Sequence, residues 1–187
     1  MELLALLALP APAPTVRLMA EAGVLAVVLP EARERELAAL EKLIARENEQ
    51  MVEGDPLRRL AALVPAIPTL AEAVAARLRL SKQQRARLVC AAERKESNAG
   101  DPRALAYREG LACARDRLLL AGADISPLAG WKVPQFPLKG GQIVARGVAA
   151  GPQVARIMQA VEKSWVEEGF PGAARIEELV SEALGVR

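Results

Sequence analysis

Aspartate followed by proline occurs at Asp55-Pro56 and Asp101-Pro102, and each time a run rich in Ala, Leu and Arg follows. An Asp carboxylate accepts from the free amides of a first helical turn, and proline is tolerated at the first helical position because its missing amide would lack a partner there anyway. Two consecutive residues thus mark where a helix starts. Ser81-Lys82-Gln83-Gln84 fits a capping box, in which the Ser hydroxyl and the Gln side chain satisfy each other's orphan amides, and Gly151-Pro152 again sets proline at a start. A chain punctuated this way leaves little room for strands. Its composition agrees, with 52% hydrophobic residues but 3% aromatic, the apolar content being mostly Ala, Leu and Val. The expected fold class is all-α with about ten helices.

Spacing and punctuation place these helices at 2–9, 14–22, 34–48, 57–64, 70–80, 82–96, 102–121, 141–146, 152–168 and 173–184. The apolar run Val24 to Leu29 has no partner strand and reads as a buried turn of helix. Thr69 is the expected cap of the helix from Leu70, and the charges on Glu34 to Asn48 are expected on a solvated face. Gly110 lies inside the longest expected helix, where close packing of a neighbouring helix would account for it. From Gly122 to Pro137 the periodicity stops in a sixteen-residue loop with three prolines. The organisation expected is a helical region at 1–30, a helical body at 31–121, the Pro-rich loop at 122–137 and a helical tail at 138–187 with a Gly/Pro hairpin.

Much chemistry is excluded by what is missing. There is no histidine, so the commonest general base and every Ser-His or Cys-His nucleophile are absent. The four aspartates, Asp55, Asp101, Asp116 and Asp124, form no Asp-x-Asp or Asp-x-x-Asp pair for divalent ions. No metal site and no catalytic residue is expected. Cys90 and Cys113 lie in Ala-rich helical surroundings and read as buried free thiols in a reduced, cytoplasmic compartment. The opening MELLALLALPAPAP has Glu2 where a signal peptide would be basic and stops at Pro10, and no run approaches a membrane span.

Net charge is only +2, but its distribution is uneven: Ile125 to Val161 contains no acidic residue. Lys132, Lys139, Arg146 and Arg156 are therefore uncompensated along the chain, which suits sequence-independent contact with phosphates. On the helix from Pro152, Val154, Ile157, Met158, Val161 and Trp165 share one face, while Gln153, Arg156 and Lys163 share another that can meet a ligand. Gly140, Gly147 and Gly151 either supply turn geometry alone or also let backbone amides approach a phosphate. Trp131 and Phe136 either stack on bases or fold back onto the core.

Two segments carry a resemblance. APAPTVRLMAEAGVLAVVLPEA, at 11–32, resembles the end of the neck and start of the body in bacterial class II tRNA nucleotidyltransferases of the poly(A) polymerase-like family. VPQFPLKGGQIVARGVAAGPQVARIMQAVEKSWVEEGF, at 133–170, resembles the tail of those proteins, in which Phe-Pro-x-x-Gly precedes a Gly-x-x-x-Gly-Pro turn and a helix ending near a Trp. DPLRRLAAL at 55–63 and RLRLSKQQRARL at 77–88 are similar to its body helices. Gln142 and Ala155 depart from the family, which carries Asp and Gly there.

The resemblance implies a noncatalytic body and tail that hold the acceptor stem and elbow of tRNA by shape for 3'-end CCA addition. The head and neck of the same protein, with Mg2+, CTP and ATP, would lie outside this chain, which needs no cofactor of its own. The expected RNA-binding residues are Lys132, Lys139, Gly140, Arg146, Gly147, Gly151, Gln153, Arg156 and Lys163. Arg58, Arg59, Arg77, Arg79 and Lys82 form a secondary patch. The alternative is a helical scaffold that docks a protein through Leu3, Leu6 and Leu7.

Overall fold

A computed structural model of the chain describes residues 2–185. It contains twelve α-helices, two short 3₁₀ turns and, among the described residues, no strand. The chain divides into a larger unit, Met1–Trp131, and a smaller one, Lys132–Arg187. The division falls inside the stretch read as one loop. Its first half belongs to the larger unit, where a 3₁₀ turn at Ser126–Leu128 buries Leu128 completely.

The larger unit comprises α1 (Glu2–Leu7), α2 (Ala13–Glu21), α3 (Val24–Val28), α4 (Glu34–Glu49), α5 (Pro56–Ala62), α6 (Pro68–Arg77), α7 (Lys82–Ala92), α8 (Pro102–Glu109) and α9 (Leu111–Ala121). At its centre is α5, packed by α1, α4, α7 and α9. Every residue from Leu57 to Ala62 is buried, as a helix enclosed on all sides requires. Leu7, Leu29, Leu40, Leu43, Leu60, Leu63 and Leu88 form the surrounding core. Leu3 and Leu7, expected as a docking surface, are part of it, and Leu6 packs against it. Their i, i+4 spacing marks an amphipathic stripe, and α5 is what covers that stripe.

Helix starts follow the expected chemistry at three sites. Asp55 Oδ1 accepts from the amides of Leu57 and Arg58, both at 2.9 Å. Asp101 Oδ1 accepts from the Ala104 amide at 2.9 Å, and Ser81 exchanges hydrogen bonds with Gln84. Thr69, by contrast, lies within α6, because Pro68 takes the first helical position and Ile67 precedes it. α7 ends at Ala92 rather than near Glu96. The run at α3 is helical as expected but only partly buried, with Leu25 inside and Val27 82% exposed.

Gly110 breaks the longest expected helix into α8 and α9. Its φ of 82° and ψ of 154° lie in a region that is almost exclusively glycine's. Its amide donates to Ala106 to close α8, and its carbonyl accepts from Ala114 to open α9. A Cβ there would meet nothing within 4 Å, so backbone conformation, not close packing, explains the residue.

Charges thought to line a solvated face of α4 are divided. Glu34 and Glu41 do meet Arg17 at the surface. Arg46 instead donates to the carbonyls of Leu119 and Leu120 at the end of α9, each at 3.1 Å, and Glu47 is 1% exposed. The cysteines are also a correction: Cys90 and Cys113 form a disulfide, their Cα atoms 6.1 Å apart. They are 23 residues apart in sequence, and only the packing of α7 on α9 brings them together. No described helix is long and apolar enough to cross a membrane.

Candidate nucleic-acid interface

The smaller unit holds α10 (Gly140–Val144), α11 (Pro152–Glu167) and α12 (Ala173–Leu184), with α10 and α12 both packed on α11. The α11 stripe has the spacing that a period of 3.6 residues demands: Ile157, Val161 and Trp165 are buried, and Val154 and Met158 half-buried. Gln153, Arg156 and Lys163 stand exposed on the other side. Trp165 anchors the unit. Its Nε1 donates to the Pro171 carbonyl at 2.8 Å, and the rings of Phe136 and Phe170 lie 5.3 and 5.0 Å from its own.

That arrangement packs the half-buried Phe136 against Trp165, in line with the fold-back reading of the two. Trp131 joins the satellite cluster of Leu105, Ala114, Leu118 and Leu128 in the larger unit, with the Arg103 guanidinium 6.0 Å from its ring centre.

Lys139 precedes α10, and its amide donates to Gln142 Oε1 at 2.7 Å. Gln142 therefore serves as a capping residue where the resembled family has Asp. Gly140 sits against α11, since a Cβ on it would lie 3.4 Å from Val154 Cγ1. Gly147 and Gly151 have φ of 89° and 137° and form the turn that leads into α11. Their conformation supports the turn-forming role directly.

Of the expected cations in this unit, Lys132, Lys139 and Arg156 are exposed and, among the described residues, meet no carboxylate. Arg146 does not stand alone, because it is paired with Glu177 of α12. The acid-free stretch of sequence is thus not acid-free in space. Lys163 has a weak pair with Glu167 one turn along, at 3.8 Å between exposed groups.

The secondary patch does not form one surface. Arg58 and Arg59 are each 4% exposed in α5, where Glu47 holds them. Facing core on every side, α5 has no solvent to offer a charged residue. Arg77 is tied to Glu31 at 2.5 Å. Arg79, just past α6, and Lys82, at the start of α7, are exposed without a carboxylate partner among the described residues.

Sequence reading missed a cleft of about 1030 Å³ in the larger unit, bounded by the turn at Met51–Asp55, by Arg115 on α9 and by Asp124–Ser126. Arg87 is one of its lining residues. It bridges Asp55 at 2.9 Å and Asp116 at 2.6 and 2.9 Å, uniting two of the four separate aspartates. Alternation of Arg and Asp across three helices gave no local signal of this. The hydrogen bond to Asp116 holds the Arg87 guanidinium protonated well above its ordinary range. These three groups are committed to one another.

Burial pushes the Asp55 carboxyl up, but the Arg58 amide and the Arg87 guanidinium outweigh it and hold the group below its ordinary range. A carboxyl depressed in the fold stabilises it above the unfolded value and loses that contribution as pH falls through the folded value. Stability is expected to decline below about pH 4. In Asp55→Asn, which keeps the cap, urea titrations should show a shallower acid limb. Equal acid limbs in the two proteins would remove Asp55 from this account.

No family model, curated protein or solved structure matches the chain.

Proposed function

We propose that the chain is the noncatalytic tRNA-binding part of a CCA tRNA nucleotidyltransferase or poly(A) polymerase-like protein. In this reading it holds the acceptor stem and elbow by phosphate contacts during 3'-end nucleotide addition. The observation that carries it is the set of exposed, unneutralised cations Lys132, Lys139 and Arg156 on a unit whose glycine turns have the resembled tail's spacing. Gln153 and Lys163 continue the Arg156 face of α11. Contacts of this kind recognise an A-form stem through its backbone and require no base readout. The Mg2+, CTP and ATP chemistry belongs to head and neck segments outside this chain.

Filter binding of the chain to tRNA over a salt series tests the reading. Affinity should fall as salt rises, because neutralising phosphates releases counterions. Lys132→Ala/Lys139→Ala/Arg156→Ala should lower the log–log slope by about 2–3, close to one per phosphate contact. Arg79→Ala/Lys82→Ala serves as a surface-charge control and should change it less. Binding that is absent, insensitive to salt or unaltered in the triple variant would sink the proposal.

A further inference from the structure

The Cys90–Cys113 pair takes no part in the interface above. It joins the last turn of α7 to the first turn of α9. Its two sulfurs sit in different surroundings: Cys113 is 5% exposed, whereas Cys90 is half-buried. Arg117 lies against Cys90, with Nε donating to the Cys90 carbonyl at 2.7 Å and one terminal nitrogen 3.5 Å from its Sγ. That guanidinium is 6% exposed and is held in place by Glu93 and, at 3.7 Å, by Glu109. The Glu109 carboxylate also lies 3.8 Å from Cys90 Sγ, but at 37% exposure solvent screens it more than Arg117.

We propose that Cys90 and Cys113 form a reversible dithiol–disulfide switch on the α7–α9 seam, with Cys90 the entry sulfur and Cys113 the buried resolving one. In the reducing direction, a thiolate such as glutathione's attacks Cys90 Sγ and forms a mixed disulfide. The Cys90–Cys113 bond breaks, and Cys113 leaves as a thiolate and takes a proton. A second glutathione thiolate attacks the glutathione sulfur of that mixed disulfide and expels Cys90 as a thiolate beside Arg117. Cys90 in turn takes the proton released by the second glutathione, so two glutathione thiols become one glutathione disulfide and the protein gains two electrons and two protons. Oxidation runs the same steps backwards.

The seam survives reduction because a second tie crosses it one turn away. Arg87 on α7 is three residues before Cys90, and Asp116 on α9 is three after Cys113, and these two form the bidentate pair described above. Leu88, Ala91 and Leu119 also keep the two helices in the shared core. Opening the bridge therefore loosens the seam without dismantling the fold.

The test equilibrates the full chain in buffers of varied reduced to oxidised glutathione and counts free thiols by maleimide mass tagging. Two tags are expected at the reducing end and none at the oxidising end, with unchanged far-ultraviolet circular dichroism and faster amide exchange over 88–114 in the reduced form. In Cys113→Ser, Cys90 is the only thiol and its iodoacetamide rate reports its thiolate. Adding Arg117→Gln should slow that rate at neutral pH by about threefold, because the neutral amide no longer favours the thiolate beside it. Glu109→Gln should speed it, and Arg117→Lys, which keeps the charge, guards against misfolding of the Gln variant. Two tags in every buffer, no tags under excess dithiothreitol, or Cys90 rates unchanged by both charge changes would overturn the switch.

Discussion

Glu47→Gln is expected to destabilise the larger unit by about 3–5 kcal/mol, the range for breaking a buried ion pair from one side. Glu47 Oε1 accepts from Arg58 at 2.7–2.8 Å and Oε2 from Arg59 Nε at 2.9 Å, all three side chains being at most 5% exposed. Arg58 retains some compensation from Asp116 at 3.6 Å. Arg59 does not. Its other bonds are to the carbonyls of Leu7 and Leu9, at 2.8 and 2.6 Å, so a neutral amide at position 47 leaves a buried guanidinium facing only dipoles. Those carbonyls close the end of α1, so the loss should loosen α1 as well as the α4–α5 contact. Urea unfolding followed by far-ultraviolet circular dichroism measures the size, and amide exchange over 2–9 and 47–63 locates it. Glu47→Met/Arg59→Met should recover part of the loss, since replacing both charges by apolar groups removes the uncompensated one. A loss under about 1 kcal/mol in Glu47→Gln would show that solvent reaches these arginines.

Trp165→Ala is expected to unfold the smaller unit. Truncating a buried Trp costs about 3–5 kcal/mol, and a unit of fewer than 60 residues has little more than that to lose. Trp165 is 3% exposed, joins Phe136 from the loop to Phe170 beyond α11, and bonds the Pro171 carbonyl that leads into α12. One side chain thus ties the loop before α10, α11 itself and the turn into α12 together. Amide exchange should show α10, α11 and α12 unprotected while α4, α5 and α7 keep their protection, because the larger unit's core is built from its own residues. Trp165→Phe keeps most of the apolar area, loses one hydrogen bond and should cost about 1–2 kcal/mol. Retained protection of α11 in Trp165→Ala would mean that the aromatic cluster is not what holds the unit. If tRNA binding resides here, it should disappear together with the protection.

The candidate interface shows how far a linear reading reaches. Exposure of Gln153, Arg156 and Lys163 followed from their angular position on α11 relative to the Ile157, Val161 and Trp165 stripe. That stripe repeats at helical spacing, so it is a local property of the chain. Neutralisation of Arg146 was not local, because Glu177 lies 31 residues away on another helix. Arg58 and Arg59 failed for the opposite reason. An adjacent pair of arginines looks like a surface feature until the helix carrying it is enclosed by four others.

The all-α class was determined by the sequence itself, through Asp-Pro, Gly-Pro and capping-box starts, helical apolar periodicity and a shortage of aromatic residues. These effects act within one or two helical turns, so neighbours along the chain suffice to express them. Only the tertiary structure decided that Glu47 faces inward, that Cys90 meets Cys113, that Asp55 and Asp116 share Arg87, and that Phe136 packs on Trp165. Each of these pairings joins residues eleven or more positions apart, and its energy depends on which helix faces cover which, a property no local spacing encodes.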